Sequence, residues 1–269
     1  MPVVSQAHRL IYFEAPATGC TAVEKALVHH EVGDVLLSKN VVVDGKVLIR
    51  AKHSSYADIY RFGLVTERME RYLRVCNVRN VFALYVAKYL RYQTKRRVQA
   101  EDEDSYINKL PKAARRRELE NIDRALNGTF EDYLTDFLGE RAPFDPHRRY
   151  HRPCHVFLHQ EVLSDDFAWL CERLPLPIDS ALEQRNVTGA MPEGKTYHDY
   201  YTDALRRRVE AQNAPFFARF PEYAFDGLDE EMVVARRPNL KGLQVSLMTW
   251  RPTPQDDTPG DGSADEASD

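Results

Sequence analysis

Residues 10–27, LIYFEAPATGCTAVEKAL, constrain the fold more than any other stretch. The run from Leu10 to Phe13 is apolar and short, as a buried strand requires, so residues 9–15 are read as a strand. A turn of small residues follows, and a helical pattern covers 21–30. A strand that passes directly into a helix leaves the first N–H groups of that helix pointing outward. Those orphan donors and the helix dipole together favour an anion. Many α/β proteins cradle a phosphate in this way. The turn contains no lysine and no G-x-x-x-x-G-K-[ST] pattern, so it is not a Walker loop.

The strand-and-helix pattern recurs along the chain. NVVVDGKVLIRAKH reads as a hairpin around Asp44-Gly45, or as a strand leading to His53, with a short helix over 54–63. Tyr72 to Val78 is strand-like, and Phe82, Tyr85, Val86, Tyr89 and Leu90 then fall at helical spacing. CHVFLHQEVL predicts another strand, followed by a helix capped by Ser164. Such alternation predicts a parallel sheet covered by helices. TFEDYLTDFLG reads as a helix closed by Gly139, residues 200–220 as one long helix or two, and 230–250 as further strands. The expected organisation is a single domain over 1–250. It carries a charged helical insertion at about 95–140, and an acidic tail over 251–269 too poor in apolar residues to fold.

Composition narrows the partners. The chain has 269 residues and a net charge of -4, so nothing global attracts nucleic acid or anionic lipid, and anion binding has to be local. Its four cysteines are scattered without a C-x-x-C pair, which argues against structural zinc and a disulfide framework and for a reducing cytoplasm. The first apolar run is too short to span a membrane. His147, His151, His155 and His159 recur every four residues, but Pro146 and Pro153 interrupt them, and no metal site is expected there.

In an open parallel sheet, ligands bind beyond the carboxyl ends of the strands. Three such ends are expected here: Pro16 to Ala22, Lys52-His53 and Arg79-Asn80. At the first, Thr18, Gly19, Cys20, Thr21 and Ala22 offer N–H groups. At the third, Arg79 can grip a second phosphate bidentately. His53 at the second is a candidate general base.

Taken in order, these pieces resemble the sulfotransferases that use 3′-phosphoadenosine 5′-phosphosulfate (PAPS), closest to the carbohydrate-type branch and its bacterial relatives. That family opens with a strand, Pro-Lys-x-x-G/C-T-S/N and a helix, here APATGCTAVEKAL. A histidine before a short helix follows, here KHSSYADI. Next comes a strand into F-x-x-V-R-N-P-x-x-R-x-x-S-x-Y, here CNVRNVFALYVAKYLRY. Later come HQEVLSDDF, the loop RNVTGAMPEGKTY and the closing YYTDALRRRVEAQNAPFFARFPEYAFD. The resemblance spans residues 9–226, and the order of the pieces is more specific than any one of them.

The resemblance implies a P-loop-like α/β fold, a parallel sheet with helices on both faces, and a sulfotransferase that moves a sulfuryl group from PAPS to a hydroxyl of a small molecule or saccharide. The turn from Pro16 to Ala22 would hold the 5′-phosphate side, Arg79 the 3′-phosphate, and His53 would take the acceptor's proton. The loop 186–197, with Lys195, would close over the nucleotide, and Glu161 would cap the helix after it. The departures matter as much. The family lysine falls on Ala17, its proline on Val81, its second arginine on Leu84 and the serine of its 3′-phosphate motif on Ala87. A cation aimed at the bridging oxygen is worth about 2.7–4 kcal/mol in the transition state, so its absence costs roughly 10²–10³ in rate. Four readings follow: an enzyme whose cation comes from elsewhere, with Lys52 favoured over Lys25; a pseudoenzyme that binds PAPS or its product 3′-phosphoadenosine 5′-phosphate (PAP); a divergent transferase using the same pocket; or a chain whose lysine was deliberately replaced.

Overall fold

The protein is described from a computed structural model, over residues 1–43, 46–105, 107–178, 182 and 191–249. Residues 44–45, at the expected hairpin turn, 186–190 of the expected nucleotide loop and the tail 251–269 lie outside the described residues.

The core is a mixed five-stranded sheet flanked by helices. Its strands are β1 (Val3–Ser5), β2 (Leu10–Phe13), β3 (Asp34–Val35), β6 (Leu73–Val78) and β7 (Val156–His159), in the order β3-β1-β2-β6-β7. β2, β6 and β7 run parallel, with Phe13 opposite Cys76 and Val78 opposite His159. β1 is antiparallel to both β2 and β3, which corrects the wholly parallel sheet expected above. The reason is local. Only residues 6–9 separate β1 from β2, with Arg9 at φ 49°, and a link that short can return the chain only alongside itself.

The sheet is apolar on both sides, which is why its strands read as continuous hydrophobic runs. Leu10, Tyr12 and Val75 face α1 (Cys20–His29), α8 (Leu163–Arg173) and α12 (Leu240–Thr249). Ile11, Phe13 and Cys76 face the opposite side, where Ile59 of α2 (Tyr56–Arg61) packs. Beyond Val78, a third cluster joins α3 (Val81–Arg91), α6 (Phe130–Leu138), α9 (Asp203–Gln212) and α10 (Ala214–Arg219). The hairpin β4 (Val41–Val43) and β5 (Lys46–Ile49) pairs only with itself among the described residues, so Lys52-His53 does not end a strand of the central sheet.

The charged stretch is helical. A π-turn over Tyr92–Arg96 continues α3 into α4 (Arg97–Glu101), followed by α5 (Lys112–Asn127) and α6. It is not wholly solvated, because Ala125, Phe130, Tyr133 and Leu134 pack on α3. Gly139, at φ 57°, ends α6 as expected. The expected strands at 230–250 are instead α11 (Glu230–Arg236) and α12, while β8 (Tyr223–Ala224) and β9 (Gly227–Leu228) form a small separate hairpin. Asp229 caps α11 by accepting from the Met232 N–H at 2.9 Å. Ser164 is no cap: a 3-10 turn over Gln160–Val162 runs into α8 and places Ser164 inside its first turn. No helix among the described residues is long and apolar enough to cross a membrane.

Candidate functional site

The turn between β2 and α1 is fixed from beneath by residues of the sheet. Tyr12 sets its hydroxyl between the Cys20 carbonyl, at 3.2 Å, and the side-chain oxygen of Asn77. The Asn77 amide donates to the Thr18 carbonyl at 2.9 Å, and the Thr18 hydroxyl donates to the Ala15 carbonyl at 2.7 Å. Thr18 and Cys20 are buried, so their side chains serve the protein interior. Burial also pushes the Cys20 thiol up, away from thiolate chemistry. Their N–H groups and those of Gly19 and Thr21 form no hydrogen bond among the described residues, while Ala22 N–H closes onto Gly19 at 3.1 Å. Gly19 sits at φ 76°, and a Cβ there would lie 2.9 Å from Leu163. Ala17 holds φ 60° without a glycine's freedom. A non-glycine residue in this region costs roughly 1–2 kcal/mol.

Three basic side chains from two separate segments reach the turn or the residue leading into it. The Lys52 ammonium donates to the Thr21 hydroxyl at 3.4 Å. The Arg79 guanidinium donates to the Ala17 carbonyl at 3.0 Å. His53 Nδ1 donates to the Glu14 carbonyl at 3.0 Å. A carbonyl can only accept, so Nδ1 carries the proton and Nε2 carries the lone pair. The Tyr150 hydroxyl holds the His53 carbonyl at 2.6 Å, and His53 also stands at positive φ, 62°. The sheet is therefore not what delivers His53. A loop after the β4–β5 hairpin lays it over the end of β2. Lys25, the other candidate cation, is exposed on α1.

Burial dominates the electrostatics of these groups. Burial, with the Lys52 charge next, lowers His53 to about 3, so it is neutral at ordinary pH. Burial also lowers the Arg79 guanidinium, with Glu161 and Tyr223 pulling the other way. Its Nε is buried and has no partner among the described residues. The Glu14 carboxylate, next to the turn, is fully buried and pairs with the Met1 ammonium. Glu161 does not cap α8 as expected. It accepts from the Asn80 N–H at 3.0 Å and from the Tyr223 hydroxyl at 2.7 Å, which ties the start of α3 to the β7 end. Asn80 caps α3 through the Phe82 N–H at 3.0 Å.

Two expected site residues stand apart. Ala87 is a buried methyl in α3 that offers no polar atom. Lys195 lies 5.8 Å from the ring of Tyr200, and no contact among the described residues joins it to the turn. The four spaced histidines do four different things. His151 bonds Asp145 at 2.8 Å, His155 bonds Arg74, and His159 lies between Asp166 at 2.7 Å and Glu222 at 3.1 Å. His147 is buried, with Nε2 unpartnered among the described residues. It is lowered by burial first and then by the charges of His151, Lys88, His53 and Arg79, which puts it within electrostatic reach of the site. Of the supporting residues, Tyr12, Asn77 and Tyr150 are not picked out by the sequence reading, and His147 enters it only as one of four spaced histidines. Only Asn77, a polar residue inside an apolar strand, carried a signal for it.

No family model matches the chain, and neither does any curated protein or solved structure.

Proposed function

We propose that the turn at 16–22 binds the phosphates of an adenosine 3′,5′-bisphosphate nucleotide, and that the protein is a PAPS-dependent sulfotransferase acting on a hydroxyl of a small molecule or saccharide. One observation carries this reading: Lys52, His53 and Arg79, from two segments distant in sequence, all make contacts within the eight residues 14–21. A net-negative chain that gathers cations around unoccupied helix N–H donors is arranged for an anion.

In this reading the acceptor oxygen attacks the sulfur as the bridge to the 5′-phosphate breaks. The electron pair of that bond leaves with PAP, and the acceptor proton passes to His53 Nε2. Lys52 supplies the positive charge that Ala17 lacks, close to where negative charge grows on the leaving phosphate. Arg79 exchanges its Ala17 carbonyl for the 3′-phosphate, and its unpartnered Nε gives a second donor for a bidentate grip.

A second reading is favoured by His53 itself. A base lowered to about 3 is poorly matched to proton abstraction near neutral pH, and together with Ala17 this suits a protein that binds PAP without turnover. The negative charge of a bound nucleotide would raise His53 toward a useful range, so the two readings separate on chemistry alone. The test is thermal stability with and without PAP, followed by transfer of labelled sulfuryl from PAPS to a panel of hydroxyl acceptors. A rise in Tm with PAP together with a labelled product supports the enzyme. A rise without product supports the binding protein. No rise with PAP overturns both.

A further inference from the structure

A separate cavity lies between α8 and the connection from α11 to α12. Its volume is about 480 Å³, and its lining includes Trp169, Arg173, Arg237, Asn239, Leu240 and Lys241. This size is within the range that takes a small organic ligand. No carboxylate lines it.

Its charge is unbalanced. Arg237 donates to Asp166 at 2.8 Å, but its Nε is buried without a partner among the described residues. Asp166 is already committed through its other oxygen to His159, at 2.7 Å. Arg173 and Lys241 are exposed and form no ion pair among the described residues. Asn239 occupies the start of α12, where its side chain accepts from Gly242 N–H at 3.3 Å and its carbonyl from Leu243 N–H at 2.9 Å. The N–H groups of Leu240 and Lys241 make no hydrogen bond among the described residues. Trp169 supplies an aromatic wall, with the Arg237 guanidinium 5.2 Å from its ring centre.

We propose that this cavity binds a small organic anion: a tetrahedral oxyanion ester, phosphate or sulfate, carried on an aromatic ring. The oxyanion is held by Arg173, Lys241 and the first N–H groups of α12. The ring lies against Trp169, and Arg237 bridges the two halves. Helix N–H donors and paired cations recognise the charge. The indole selects a flat apolar body over a bare ion. The inference uses no residue of the 16–22 turn and is independent of the function proposed there.

The chain has two tryptophans, so Trp250→Phe in the full chain leaves Trp169 as the sole indole reporter. Phenyl phosphate, phenyl sulfate and inorganic phosphate are titrated in turn, with Trp169 fluorescence and calorimetry as readouts. The expected result is saturable binding of a phenyl ester at least about tenfold tighter than inorganic phosphate. The better of the two esters identifies the head group. Arg173→Gln with Lys241→Gln should weaken that binding by roughly tenfold or more with Tm unchanged, because both side chains are exposed. Arg79→Met should leave it intact. The proposal is overturned by no saturation below ~10 mM of either ester, by equal affinity for inorganic phosphate, or by a double variant that binds like the parent.

Discussion

Replacing Arg79 by methionine separates a ligand-binding arginine from a structural one. Methionine keeps most of the apolar stem and removes the charge. In the protein without ligand, Arg79 makes one hydrogen bond, to the Ala17 carbonyl, and buries an Nε that has no partner among the described residues. The bond is worth about 1.5–3 kcal/mol because the donor is charged. Burying the guanidinium costs a few kcal/mol in return. The two nearly cancel, so the substitution should change stability by no more than about 1 kcal/mol, or roughly 2–4 °C in Tm for a chain of this size. Ligand binding has no such cancellation. Losing a charge-assisted pair of bonds to phosphate costs about 1.5–3 kcal/mol, a weakening of roughly 10–150-fold. At a PAP concentration about 100 times the parent Kd, the parent gains ~2.7 kcal/mol, whereas a variant bound 100-fold more weakly gains only about 0.4 kcal/mol. Differential scanning fluorimetry of both proteins, with and without PAP, reads all four states. A variant that melts more than about 10 °C below the parent without ligand would show that Arg79 is a clamp for the turn. An unchanged PAP shift would show that it does not touch the nucleotide. Either outcome refutes the reasoning.

Other substitutions test separate parts of the site. Ala17→Gly should raise stability by up to about 1 kcal/mol in equilibrium unfolding, because glycine relieves the left-handed strain at φ 60° while adding freedom to the unfolded chain. His53→Gln should abolish sulfuryl transfer and leave the PAP-induced shift in Tm within about twofold of the parent, measured on the same samples. Lys52→Met should lower transfer by roughly 10²–10³, and Ala17→Lys in the Lys52→Met background should restore part of it. The His159 cluster gives a pH test with a definite sign. Burial lowers His159, but the hydrogen bonds and charges of Asp166 and Glu222 outweigh it, and the net shift is upward. A raised histidine stabilises fully below its ordinary value near 6.5 and loses that contribution as pH climbs through its folded value. Burial raises Asp166 and Glu222, but their bonds to His159 leave both lowered, so their share is present above the ordinary carboxylate range and fades in acid. The Tm difference between the parent and His159→Gln should therefore be largest near pH 5–6 and shrink toward pH 9.

How much was legible in the sequence depended on whether local pattern decided the structure. β2 into α1 and β6 into α3 were readable because apolar runs and helical spacing adjoin without ambiguity. The antiparallel β1 was missed because three residues, Val3 to Ser5, are too few for a periodicity. Residues 230–250 misled because Val233-Val234 and the apolar positions of LKGLQVSLM satisfy a strand as well as a helix. In the structure Asp229 and Asn239 accept from N–H groups at the starts of the two helices. Lys52, His53 and Arg79 were legible as unusual residues after apolar runs. That His53 arrives from a separate hairpin was not, because strand pairing is a tertiary choice. The bonds of Asn77 to the turn and of Tyr150 to the His53 carbonyl could not be read at all, since they join residues 59 and 97 positions apart, respectively.

The alanine at 17 and the lysine at 52 belong to a single geometric fact. A side chain at 17 leaves the turn from a left-handed residue, whose direction the strained backbone fixes. The loop carrying Lys52 is fixed from the other side: the left-handed His53 is bonded to Glu14 through its ring and to Tyr150 through its carbonyl. Two of the four non-glycine residues at positive φ among the described residues thus belong to this site, Ala17 within the turn and His53 bonded to Glu14 just before it. Strain of this kind persists only where surrounding contacts hold it, and it concentrates where a chain must present groups to a ligand. Tyr12, Asn77 and Tyr150 supply those contacts here. A cation on the second loop reaches Thr21, in the first turn of α1, where the N–H groups open outward. The charge is supplied across the turn by Lys52 instead of from within it, since residues 16–22 carry no charged side chain of their own.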